Sequence, residues 1–121
     1  MSVPRMIVQE KITWTNNKSQ PIFAGDFRNI GITIVGTGTL SVLGSKSRQQ
    51  DPIDFTAAST LANSYATIVL ADETVANTYA TSLTVSGSTK IAEVNTNELG
   101  WICLSRSGSG VDAFVTMTDN R

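Results

Sequence analysis

Apolar residues recur at every second position through much of the chain. Ile30, Ile32 and Ile34 share one parity, and Leu40 and Val42 continue it beyond a glycine-threonine stretch. Near the C-terminus Val111, Ala113, Val115 and Met117 repeat the pattern. Period two marks a half-buried β-strand, because successive side chains point to opposite faces of a sheet. Met6 to Trp14 also alternates, with Val8, Ile12 and Trp14 on one side. Glu10 interrupts that apolar face, which suits an edge strand or one covered by a partner. Ile22-Phe23 predicts a short strand broken at Gly25, and further strands are expected at Tyr65–Leu70, Ser82–Ser86, Lys90–Asn95 and Trp101–Ser107.

Between these segments lie turn-forming residues. Thr15 to Pro21 is a polar loop by composition. Ser107-Gly108-Ser109-Gly110 predicts a hairpin turn between the last two strands. Ser45 to Ser64 reads as a long polar connection with room for a helical turn near Thr56–Asn63; connections of this length often carry function. No amphipathic helix exceeds two turns, and no internal repeat is present. The pattern predicts an all-β fold: a single-domain antiparallel β-sandwich of eight or nine short strands, open to a jelly-roll arrangement. Residues 1–8 read as an N-terminal arm and 9–121 as the sandwich.

Ile32 to Ser45, ITIVGTGTLSVLGS, raises a chemical question. Gly36-Thr37-Gly38 could open a phosphate-cradling loop. Ser41 stands where a GxGxxG fingerprint needs its third glycine, strand rather than helix follows, and no P-loop lysine is placed. The expected structure is two strands joined by a turn at Gly36–Thr39.

Composition sharpens this picture. The chain has 121 residues, 40% of them hydrophobic and 16% charged, against the ~25% charged residues of typical soluble domains. Serine and threonine make up about a quarter of it, and threonine's branched Cβ suits a pleated surface. The net charge is -1 and the basic residues are scattered, so no stripe for nucleic acid exists. The absence of histidine excludes His-based zinc sites and Ser-His-Asp or Cys-His catalysis. Cys103, the single cysteine, cannot form an internal disulfide and is expected to be a buried structural thiol. Neither a signal peptide nor an apolar run of ~18 residues is evident, so synthesis and use in a cytoplasm are expected.

Candidate chemistry is sparse. Asp51, Asp54, Asp72 and Glu73 could pair as glycosidase carboxylates or bind Ca²⁺, but solvated loop acids are the better reading. Asn17-Lys18-Ser19 matches a glycosylation sequon, which means little without secretion. Trp101 is expected in the core. Tyr79, flanked by Asn77, Thr78 and Thr81, is the aromatic best placed to be exposed. No catalytic, metal or cofactor residue is assigned.

The order of segments resembles a known group. Asp26-Phe27-Arg28-Asn29 leads into an alternating strand, followed by Gly-Thr-Gly-Thr-Leu (36–40), Val42 to Ser45, and a polar loop holding Pro52 and Phe55. Asn63-Ser64-Tyr65-Ala66 and Glu93 to Leu104 come next, and a closing strand follows a glycine-rich turn. From about residue 20 to 118 this resembles the decoration or cement proteins of tailed-bacteriophage capsids and related small β-sandwich virion accessory proteins. The resemblance implies a non-enzymatic virion structural protein, made in the host bacterial cytoplasm. It would bind the outer capsid surface as a dimer or trimer and bridge neighbouring copies of the major capsid protein. It implies no cofactor, no nucleic acid and no membrane. An extended arm can pair with a partner's sheet edge, so Val3, Pro4, Arg5, Met6, Ile7 and Val8 are the first interface candidates. Arg48 and Asp51, as steering charges in the polar loop, are the second.

Three alternatives remain. A receptor- or glycan-binding module of a phage tail or fibre shares the fold and would use exposed aromatics such as Tyr79. A lyase or hydrolase is disfavoured by the missing histidine and scattered carboxylates. A lattice-forming coat protein of a small virus fits the length.

Overall fold

The computed structural model describes residues 7–25, 27–46, 65–74, 78–94 and 99–118. Among them the chain is all β. Eleven strands run in order: β1 Ile7–Lys11, β2 Trp14–Thr15, β3 Lys18–Ser19, β4 Ile22–Phe23, β5 Asn29–Ser45, β6 Ala66–Thr67, β7 Leu70–Asp72, β8 Thr78–Ala80, β9 Leu83–Val94, β10 Trp101–Arg106 and β11 Val111–Thr118. All belong to one hydrogen-bonded antiparallel sheet organised around β5.

The parity of the apolar residues holds. Ile30, Ile32, Ile34, Leu40 and Val42 are all buried on one face of β5, and Val111, Ala113, Val115 and Met117 are buried on the matching face of β11. Two expected turns are corrected. Gly36–Thr39 does not join two strands, because β5 runs unbroken for 17 residues through it. Nor is Ser107–Gly110 a hairpin. β10 pairs with the C-terminal part of β5, from Trp101↔Ser45 to Arg106↔Leu40, and β11 continues in the same direction along its N-terminal part, from Val111↔Gly36 to Thr118↔Asn29. The four residues between them loop out and return to the same edge.

The physical reason lies in the pairing. Thr37 N–H donates to Gly110 O at 2.9 Å, Ser107 N–H to Thr39 O at 2.9 Å, and Thr39 N–H to the Ser107 hydroxyl at 2.9 Å. On the other side β9 carries an extra residue, Gly87, between Gly36↔Ser88 and Thr37↔Ser86. Gly87 has φ 64° and its N–H donates to Thr37 Oγ1 at 2.9 Å. Gly36 has φ 102°, and a Cβ there would lie 2.2 Å from Gly110 O. A glycine is therefore required by close approach of the neighbouring backbone as well as by its dihedral. Irregularities on both edges of β5 thus fall at one level. Bulges bend a sheet and sharpen its twist. The inner residues on both sides of this line belong to one hydrophobic core, from Ile32 and Val115 on one side to Leu104 and Val42 on the other. The result is a sandwich-like domain made by bending a single sheet. The two strands expected at Ser82–Ser86 and Lys90–Asn95 are one, β9, over Leu83–Val94, because Gly87 is a bulge within a strand; Asn95 lies outside the described residues.

Small elements complete the edge beside β10. Asn16 and Asn17 have φ 52° and 62°, so β2 and β3 form a hairpin whose central residues are both left-handed, a geometry asparagine tolerates. The buried Ser19 hydroxyl accepts from Leu104 N–H at 2.8 Å. Leu43, Tyr65, Trp101 and Cys103 form a second buried cluster on the opposite face of β5 and β10. Phe23 packs edge-on against Trp101, with ring centroids 5.2 Å apart. Trp101 and Cys103 are therefore core residues, as expected. The Cys103 thiol lies 3.3 Å from Ser19 O and 3.4 Å from Gln20 O, and burial pushes its pKa up, which leaves it an unreactive thiol.

Candidate functional site

Cross-strand register builds a broad outer face on the half of the sheet ordered β1-β11-β5-β9-β7-β8. One row across it reads Phe114, Thr33 and Ile91. The next reads Gln9, Thr116, Gly31, Glu93, Ala71 and Tyr79. A third, nearest the bend, holds Asp112, Val35 and Thr89. Directly opposed residues in antiparallel strands point to the same side. These side chains therefore face away from the core that Ile32, Ala92 and Val115 fill.

Large apolar groups stand open on this face: Tyr79 is 60% exposed, Phe114 55% and Ile91 49%. Tyr79 is exposed, as expected. Phe114 and Ile91 were not singled out from the sequence, yet the signal is there. If Ala113 and Val115 point inward, Phe114 must point outward. Thr33, Gly31 and Ala71 are small, so the large groups stand above a low floor.

The electrostatics of the two faces differ. Glu93 lies directly opposite Ala71, and Glu73 follows at the end of β7, where its N–H donates to Ile91 O at 2.8 Å. The two carboxyl groups are thus close neighbours on this face. Partial burial, and then the bond to and charge of Glu73, raise the Glu93 pKa above the usual glutamate value. Asp72, one residue before Glu73, turns the other way. It was expected to be a solvated loop acid; instead it closes β7 and is buried. Its carboxylate accepts from the Thr74 hydroxyl and from Thr74 N–H, and from Lys90 Nζ at 3.2 Å. The Thr74 hydroxyl is the largest influence holding its pKa below the usual value, with burial opposing. Its polar atoms are satisfied, which is why burial is tolerated.

At the bend, Arg106 lies over the Trp14 ring, 4.3 Å from its centroid. Its Nε donates to Asn17 Oδ1 at 3.1 Å and its Nη1 to Val111 O at 3.1 Å. Trp14 Nε1–H donates to Asp112 Oδ1 at 3.0 Å. These contacts pin the β2–β3 hairpin across the junction of β10 and β11, a structural role.

Of the sequence-based interface candidates, Ile7 and Val8 fall in β1, where their backbones pair with Thr118 and Met117 of β11. Val3, Pro4, Arg5, Met6, Arg48 and Asp51 lie outside the described residues, as do Asp54 and the segment 56–63. Among the described residues no cluster of three or more His, Cys, Asp or Glu side chains could hold a metal ion, and no helix is long and apolar enough to cross a membrane.

The architecture defines a class: a small all-β, sandwich-like domain built from one bent antiparallel sheet. A solved structure shares it. The SPBc2 prophage-derived protein YomS, known from its crystal structure, is similar with a TM-score of 0.68 over 98% of this chain and 96% of that one. The two sequences are 10% identical, so the likeness is one of fold. No protein-family model matches the chain, and no curated protein matches it in sequence.

Proposed function

We propose that this is a phage-encoded, non-enzymatic virion protein that binds the outside of a capsid and stabilises it by bridging neighbouring capsid subunits. The observation that carries the phage assignment is the likeness of fold to a prophage-derived protein across nearly the whole of both chains. A binding role is supported by the outer face, where Phe114, Ile91 and Tyr79 stand exposed on an otherwise folded sheet. Aromatic and aliphatic groups held rigidly on strands are the usual anchors of protein interfaces. In this reading the protein is made in the host cytoplasm, functions on the capsid surface, takes no cofactor and works as a small oligomer. Many copies on one shell would make modest contacts strong through avidity, and binding only the assembled state stabilises it by mass action.

The test is sedimentation of the purified protein with mature and expanded shells of the phage that encodes it. Saturable co-sedimentation, with decorated shells surviving heat that disrupts bare ones, is the expected result. Failure to bind either shell form would end the capsid reading.

One observation favours a second reading, a glycan-binding module of a tail or fibre. Tyr79 is exposed on the same register row as the Glu93 carboxyl, an aromatic surface beside hydrogen-bond acceptors. A glycan-array signal that disappears in Tyr79→Ala would select it.

A further inference from the structure

We propose that the outer face of the β1-β11-β5-β9-β7-β8 half docks a protein surface that presents an apolar strip flanked by lysine or arginine side chains. The strip would lie on Phe114, Thr33 and Ile91, and the cations would reach Glu73 and Glu93. This rests on the binding-protein reading above and names the chemistry of its partner.

Charge complementarity selects this partner. Glu73 and Glu93 sit side by side next to the apolar row. Two adjacent carboxyl groups repel when both are ionised. Elsewhere the fold answers an acid with a base: among the described residues Asp72 has Lys90 as its ion-pair partner. That lysine is committed to the inner side of the sheet. No described cation stands in the register row of Glu93, where β7, β8, β5, β11 and β1 contribute Ala71, Tyr79, Gly31, Thr116 and Gln9. In the neighbouring row Lys11 of β1 pairs with Phe114, at the opposite end of the strip from Glu73 and Glu93, so the partner's cations belong at the β7–β9 end alone. When both are ionised, the like-charge pair is an open electrostatic cost. A partner's cation removes it, while the cation's aliphatic stem covers Ile91. Burial of Phe114 and Ile91 supplies the apolar part of the contact. Glu73 is the charged group beside Glu93, and Tyr79 stands one strand beyond Ala71 in the same row, so docking should strengthen as Glu93 ionises with rising pH.

The experiment titrates the full chain with two synthetic peptides of equal length, one alternating Lys and Val, the other Glu and Val. Binding is followed by calorimetry and by amide chemical shifts, at low and at physiological salt. The expected result is binding of the Lys peptide alone, weakened by salt, with shifts centred on Ile91, Glu93 and Phe114. The double variant E73Q/E93Q and the variant Phe114→Ser should each bind it about tenfold more weakly. Equal binding of both peptides, no binding, or shifts centred elsewhere would overturn the proposal. So would a concentration-dependent dimer of the wild type that Phe114→Ser abolishes, which would give this face to a second copy of the chain. The shell experiment separates the two readings. If the Lys peptide binds but shells do not, the capsid role falls and the face stands. Should shells bind the wild type and both variants alike, the face falls and the capsid role stands.

Discussion

β10 and β11 lie end to end along the same edge of β5, yet they live in different surroundings. In β10, Trp101, Ile102, Cys103 and Leu104 are all buried. In β11 burial alternates: Val111, Ala113, Val115 and Met117 are covered, while Asp112 and Phe114 are exposed. A strand covered on both faces reads as a continuous apolar run, and a strand covered on one face reads as alternation. Both sequences obey this rule. The exception is Phe114, a large apolar residue at an outward position. A fold that can cover both faces at β10 leaves a phenylalanine bare at β11, and this contrast is the reason to place the partner there.

The sharpest way to break the contrast is in β10. Ile102→Ala removes a fully buried side chain from the main core and should cost about 4 kcal/mol. Chemical denaturation would measure it, and a loss within a few tenths of a kcal/mol would contradict the doubly covered strand. Next comes the junction. Gly36→Ala sets a methyl group against the Gly110 carbonyl at φ 102° and should cost about 3 kcal/mol. A true two-residue turn at Gly36–Thr39 would not transmit such a change to the amides of β11. Hydrogen exchange across Val111–Thr118 therefore separates the two geometries.

Smaller effects come from the acids on the two faces, and their signs are opposite. Asp72 has a lowered pKa, so its contribution is present above the ordinary aspartate value and is lost as pH falls through the folded-state value. Asp72→Ala should cost about 2 kcal/mol at neutral pH from lost hydrogen bonds, and the gap from wild type should close on acidification. Glu93 has a raised pKa, so its ionisation works against the fold. Relative to Glu93→Gln, the wild type should lose ground as pH rises from the ordinary glutamate value through the folded-state value. Thermal unfolding over a pH series reads both, and matching slopes for the two variants would contradict the assignment. The smallest expected effect is Phe114→Ser. An exposed residue serving a partner rather than the core should change stability by about 0.5 kcal/mol or less. A large loss would make Phe114 a structural residue and remove it from the docking face.

The local sequence by itself determined the strands and their inward faces. The parity of Ile30, Ile32 and Ile34 with Leu40 and Val42, and that of Val111 to Met117, follows from the two-residue repeat of a strand. Cys103 and Trp101 were legible as core because they sit in an unbroken apolar run. The alternation even marked Phe114 as outward, though nothing local says whether an outward phenylalanine is covered by another part of the chain. What the sequence could not determine was the path. Gly36-Thr37-Gly38-Thr39 and Ser107-Gly108-Ser109-Gly110 are the residues of a hairpin turn, and glycine offers the same freedom to a turn as to a bulge inside a continuing strand. The choice is made by hydrogen bonds between residues far apart in sequence, such as Thr37 to Gly110 and Gly87 to Thr37. Asp72 shows both kinds of neighbour: Thr74, two residues on, supplies two of its hydrogen bonds, while its cation comes from Lys90, eighteen residues on. Strand periodicity is a property of neighbours along the chain. Where a strand bends, what it pairs with and which acid finds a cation are properties of neighbours in space, and only the tertiary structure brings those together.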